Sequence, residues 1–108
     1  MYYVYILRCE NSFLYTGITT DVERRFNEHK DGKIKGAKYT KSHKPLGVEA
    51  VWEAENKSDA SRLEYRIKKL TKTEKEDLIA NGSGELRFLV NNCELIFKRL
   101  CWFLTICV

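Results

Sequence analysis

The chain opens with two apolar runs, Tyr2 to Leu7 and Phe13 to Ile18, rich in Tyr, Val, Ile and Phe and separated by Cys9-Glu10-Asn11-Ser12. β-branched and aromatic runs broken by short polar turns predict a β-hairpin. A three-residue loop in that hairpin would set Tyr5 and Tyr15 opposite each other on one face. Thr19, Thr20 and Asp21 then offer N-caps for a helix from about Val22 to Lys30, and Glu23 suits the positive end of its dipole. The inward stripe of that helix is Val22, Arg25, Phe26 and His29, with Arg24 and Asn27 turned outward. Two polar side chains therefore occupy positions where spacing predicts apolar ones.

Further along, Val48, Ala50, Trp52 and Ala54 alternate with Glu49, Val51, Glu53 and Glu55. This pattern predicts a strand over residues 48–55 with the first set on its buried face. Ser58 is placed to cap a helix whose inward stripe is Ala60, Leu63, Glu64, Ile67 and Leu70, so Glu64 is a third polar interruption of an apolar face. Thr71 followed by Glu74 forms a capping-box pattern, opening a short helix that ends at Asn81 and Gly82. From Gly84 to Val108 only five residues are charged, and the last nine carry no charge. A membrane span needs ~20 apolar residues, so this ending is too short to cross a bilayer. It divides the chain into a domain of residues 1–82 and an apolar extension of 83–108, expected to pack on the domain, form a dimer face or contact a protein partner.

Composition sharpens this picture at two points. With 108 residues, 44% hydrophobic and 31% charged, the chain suits one folded domain and is too apolar for disorder. The net charge of +4 is concentrated. Lys30, Lys33, Lys35, Lys38, Lys41 and Lys44 follow His29 with Asp31 as the sole intervening acid. Such a block usually forms a solvated face, yet each lysine can also neutralise a phosphate, and Tyr39 places an aromatic ring among them. Cys9, Cys93, Cys101 and Cys107 lack CxxC spacing, which predicts reduced thiols and no zinc site. No basic leader precedes the first apolar run, so a cytoplasmic location is expected.

Tyr3-Val4-Tyr5, Tyr15-Thr16-Gly17 ten residues later, and then Arg25, His29 and Glu64, resemble the core of the GIY-YIG nuclease superfamily; the run YTGITTDVERR is especially similar to its small stand-alone bacterial members. The resemblance covers residues 1–82. It implies an α+β fold, a small three-stranded antiparallel sheet flanked by helices, and a Mg²⁺- or Mn²⁺-dependent endonuclease that hydrolyses phosphodiester bonds in DNA. It further implies Tyr5, Tyr15, Arg25, His29 and Glu64 as catalytic residues, Glu64 being the metal ligand. Tyr3 stands in place of the first motif's glycine, Ile18 where some relatives carry lysine, and Asn81 is poorly spaced to match a late asparagine of the family. These departures keep a second reading open, a catalytically weak or inactive nucleic-acid-binding protein of the same fold.

The residue types suit the chemistry. Magnesium keeps several waters, so one carboxylate suffices when substrate phosphate completes the shell. Arginine offers a permanently charged fork for phosphate. A tyrosine with its ordinary pKa of ~10 is a poor base at neutral pH, and Tyr15 as base or water-positioner requires help from the cation and Arg25, with Tyr5 as its hydrogen-bonding partner and His29 as proton acceptor or phosphate contact. Each residue also has an ordinary role: the tyrosines as strand formers, Arg25 pairing with Asp21, Glu64 pairing with Lys68, Gly17 as a bulge. No base-reading helix is evident, so selectivity for DNA structure rather than sequence is expected.

Overall fold

The computed structural model of the protein describes residues 1–32, 43–81, 85–90 and 93–100. Lys33, Lys35, Lys38 and Lys41 lie outside that set. In chain order the elements are β1 (Tyr2–Cys9), a 3₁₀ turn (Glu10–Ser12), β2 (Leu14–Thr19), α1 (Val22–Lys30), β3 (Pro45–Ala54), α2 (Lys57–Lys68), α3 (Lys72–Asn81), β4 (Glu85–Val90) and β5 (Cys93–Leu100). The sheet is antiparallel and runs β2-β1-β3-β5-β4. It has five strands where three were expected, because part of the apolar extension pairs with the chain's own third strand. Val51, Trp52 and Glu53 face Leu100, Arg99 and Lys98 across that seam. Burial of Phe97 to 1% exposure among the core residues draws β5 onto the sheet. Arg99 ties the arrangement further, donating to the carbonyls of Leu78 at 3.3 Å and Glu49 at 3.4 Å.

The sheet is covered on both faces, which explains why successive residues of β1, from Val4 to Leu7, are all buried. Val4, Ile6, Ala50, Trp52 and Ala54 pack with Ala60, Leu63 and Ile67 of α2. Tyr5, Leu7, Cys9, Val48 and Val51 pack with Val22 and Phe26 of α1. The alternation over residues 48–55 predicted Val48 on the Ala50 face. Instead, the register slips between Ile6/Ala50 and Leu7/Val48, so Glu49 is an extra residue in β3 and Val48 crosses to the α1 side. A bulge of this kind is invisible to a period-two count.

The hairpin loop has three residues, Glu10 to Ser12, with Asn11 and Ser12 at φ of 60° and 63°. Asparagine accommodates the left-handed region better than most residues. The pairing is Tyr5 with Gly17 and Leu7 with Tyr15. Tyr5 and Tyr15 thus share a face as diagonal neighbours, two residues out of the directly opposed register expected. Helix α1 starts and ends where the sequence predicts, with the Asp21 carboxylate accepting from the Arg24 amide at 3.1 Å. For α2 the N-cap is Asn56, whose side chain accepts from the Asp59 amide at 2.8 Å, two residues before the expected Ser58. The Thr71–Glu74 capping box forms as the spacing predicts, at 2.9 and 3.2 Å. Helix α3 is fastened to β1 by a bidentate pair, Arg8 Nη1 to Glu76 Oε2 at 2.7 Å and Nη2 to Oε1 at 2.6 Å. Cys9 is buried and unbridged, and burial pushes its thiol pKa up to about 11, which leaves it unreactive. No helix among the described residues is long and apolar enough to cross a membrane.

Candidate active site

Three elements, β1, β2 and α1, bring Tyr5, Tyr15 and His29 together. Tyr5 projects from β1 over β2, where its ring lies against the bare backbone of Gly17. A Cβ at residue 17 would stand 2.5 Å from the Tyr5 hydroxyl and 2.8 Å from Cζ, so glycine is required for the phenol to cross the edge strand. Helix α1 packs on the same face and sends His29 down to the phenol: Tyr5 Oη is 3.0 Å from His29 Nε2. The Tyr15 ring closes the third side. Its centroid is 4.8 Å from that of His29, edge to face, and 6.3 Å from that of Tyr5.

Burial sets the protonation of this pair. The Tyr5 phenol, 1% exposed, is held above its ordinary pKa chiefly by burial and then by Tyr15; the guanidinium of Arg25 acts in the opposite direction. Burial, and then the charge of Arg25, lower the His29 pKa to about 4. At neutral pH the 3.0 Å bond therefore joins a neutral phenol to a neutral imidazole. This depressed value has a consequence for stability. The unfolded histidine, with pKa ~6.5, takes up its proton first as pH falls, so His29 erodes stability between about pH 6.5 and 4 and contributes no further change below that. Urea midpoints at pH 7 and pH 4 should show wild type losing more than His29→Gln over that window, by up to about 3 kcal/mol. Equal losses in the two proteins would refute the assignment.

Arg25 occupies the inward side of α1 as the spacing predicts, but its nearest acid is Glu28 rather than Asp21. Arg25 Nη1 is 3.8 Å from Glu28 Oε1, and Arg24 Nη1 is 3.7 Å from Glu28 Oε2. Asp21 instead caps the helix and lies 4.0 Å from Arg24. Glu28 was not singled out from sequence, although an acid three and four residues after two arginines is the pattern that would have flagged it. The Arg25 Nε is buried and has no hydrogen-bond partner among the described residues.

Glu64 lies on α2, partly buried, with its Oε2 3.4 Å from Lys68 Nζ. Its charge also reaches Tyr5, where it is the smallest of the influences raising the phenol pKa. Thus the ordinary Lys68 pairing is present and the carboxylate is still felt at the tyrosine cluster. No group of three or more His, Cys, Asp or Glu among the described residues is arranged to hold a metal. Lys30 and Lys44 are exposed, at the end of α1 and the start of the path into β3.

Residues 1–77 match the family model described as the GIY-YIG catalytic domain. The chain belongs to the GIY-YIG family. This is a nuclease family, and the two strand motifs and α1 of the present chain supply the cluster just described. Among its relatives, UPF0213 protein FN1575 of Fusobacterium nucleatum is 39% identical over 99 residues, covering 92% of this chain and 97% of that protein. UPF0213 protein YhbQ of Escherichia coli O8 is 46% identical over 83 residues, covering 77% and 81%. The solution NMR structure of UPF0213 protein BH0048 from Bacillus halodurans is 46% identical, covers 74% of this chain and 84% of its own, and aligns with a TM-score of 0.47. In GIY-YIG terms, the glycine of the second motif is the residue over which the tyrosine of the first motif passes.

Proposed function

We propose that this GIY-YIG protein is a DNA endonuclease that hydrolyses a phosphodiester bond with Mg²⁺ or Mn²⁺, selecting DNA by structure rather than by sequence. The observation that carries this reading is the meeting of Tyr5, Tyr15, His29 and Arg25 in one cluster, with a buried Arg25 Nε left over as a donor. A packed core gains nothing from that surplus donor, whereas a phosphate oxygen would satisfy it.

The residues divide the work. Tyr5 keeps its proton, since burial opposes ionisation, and its bond to His29 fixes the orientation of both rings. Tyr15, the less buried phenol, positions the attacking water or, when ionised, receives its proton. Water adds to phosphorus as the bond to the leaving oxygen breaks, and Arg25 offsets the charge on the non-bridging oxygens. Glu64 fits the role of metal ligand: it is a partly buried carboxylate, electrostatically coupled to Tyr5, whose protein partner is an exposed lysine that phosphate and water can replace. The ion, when bound, supplies charge to the phosphate and leaving oxygens. Lys30 and Lys44, with the lysines between them, supply salt-sensitive attraction to the backbone.

Nicking of supercoiled plasmid and of flap and junction substrates tests the reading. Cleavage is expected with Mg²⁺ or Mn²⁺ and not with EDTA, and Tyr15→Phe should lower the rate by roughly 10²-fold. Binding with a steep salt slope and no cleavage of any substrate would overturn it in favour of a non-catalytic nucleic-acid-binding protein.

A further inference from the structure

The outward side of α2 carries a feature that the tyrosine cluster does not use. An open groove of about 1190 Å³ runs along it, past Leu70 to Leu78 of α3. Lys57, Arg62, Arg66 and Lys69 line this groove, and among the described residues no carboxylate does. Tyr65, 61% exposed, also lines it, with Lys69 Nζ 4.7 Å from its ring centroid. A ring already flanked by a cation is set up to stack on a flat, electron-rich partner. Tyr65 is the residue after Glu64 on α2, so the groove and the proposed metal ligand belong to the same helix, although Glu64 does not line the groove.

We infer that this groove is a second nucleic-acid surface, which holds an unpaired stretch of the strand beyond the scissile position with a base stacked on Tyr65. The inference rests on the nuclease reading for the identity of the strand but not for the surface itself. Lys57, Arg66 and Lys69, together with Arg62, which also lies 3.9 Å from Asp59, give the groove a positive lining that complements a polyanion. An acidic peptide would satisfy those charges equally, but its carboxylates and backbone offer no extended π-face to stack on the exposed ring, as every nucleobase does. Stacking on an aromatic flanked by backbone-binding cations is how unpaired strands are held without sequence preference. A blunt duplex keeps its bases stacked inward and leaves Tyr65 unused.

The test is fluorescence anisotropy of the full chain in EDTA, with a fluorescein-labelled duplex bearing a single-stranded thymidine overhang and the same duplex blunt-ended. Tyr65→Ala should weaken overhang binding by roughly ten-fold while leaving blunt binding unchanged, and Tyr65→Phe should restore it. The triple change Lys57→Ala, Arg62→Ala and Lys69→Ala should lower the salt slope by about two to three. Overhang binding that is identical in wild type and Tyr65→Ala would overturn the inference. So would displacement of the overhang probe by polyglutamate as readily as by polythymidylate. Because no divalent ion is present, turnover does not enter the readout. Tyr65-dependent binding in a protein that cuts nothing would leave this surface standing and remove the nuclease reading; Tyr65-independent binding in a protein whose cleavage requires Glu64 would do the reverse.

Discussion

Glu64→Gln should abolish most metal-dependent cleavage, by roughly 10²- to 10³-fold, while leaving the thermal midpoint nearly unchanged. The two halves separate the observed ion pair with Lys68 from the proposed role as metal ligand. As the partner of Lys68, Glu64 belongs to an i, i+4 pair with side-chain exposures of 23% and 54%, a surface interaction worth about 0.3–0.5 kcal/mol. Losing it barely alters the fold. Glu64 is also a carboxylate whose charge reaches Tyr5, and glutamine has nearly its shape but no charge to hold a divalent ion. Lys68→Ala supplies the control, because it breaks the same ion pair from the other side. If the pair is all that matters, both variants behave alike. Under the proposed role Lys68→Ala retains cleavage, and rates of Glu64→Gln equal to wild type at saturating Mg²⁺ would refute it.

Gly17→Ala should cost about 1–3 kcal/mol of stability and most of the activity, although alanine is otherwise better tolerated in a strand. The added methyl would sit 2.5 Å from the Tyr5 hydroxyl, and Tyr5 is walled in by β1, β2 and α1. Either the strand edge bends, moving Tyr15 away from Tyr5 and His29, or the phenol leaves His29 and breaks the 3.0 Å bond; both disturb the cluster. Urea denaturation measures the first cost and plasmid nicking the second. Tyr5→Phe in the same background removes the closest clashing atom, so it should recover part of the stability and none of the activity, a non-additive pair in a double-mutant cycle. Additive stabilities would show that the glycine serves backbone flexibility alone.

Much of this architecture follows from local pattern. The bounds of α1, the Thr71 capping box, and the anomaly of Arg25, His29 and Glu64 on apolar stripes all reflect interactions within one or two helical turns. A one-dimensional sequence displays such spacings directly. The resemblance carried by the two tyrosine motifs, Arg25, His29 and Glu64 supplied the rest of the candidate site. The partners of those residues were less legible. That Arg25 would stand beside Glu28, and that the Tyr5 hydroxyl would meet His29, depend on how α1 docks and on the exact hairpin register.

Chain pattern alone determined that this protein has a tyrosine-rich hairpin, a helix with two polar residues facing inward, and a cation-rich stretch after it, because each is a matter of residue type at short separation. Only the tertiary structure decided that the extension adds β4 and β5 to a three-stranded sheet, that a bulge at Glu49 moves Val48 to the other face, and that Arg8 reaches Glu76. The physical reason is that pairing between distant strands, slips of one residue and long-range ion pairs are chosen by the shared burial of both faces of the sheet. That burial is a sum over the whole core, and no local segment contains it.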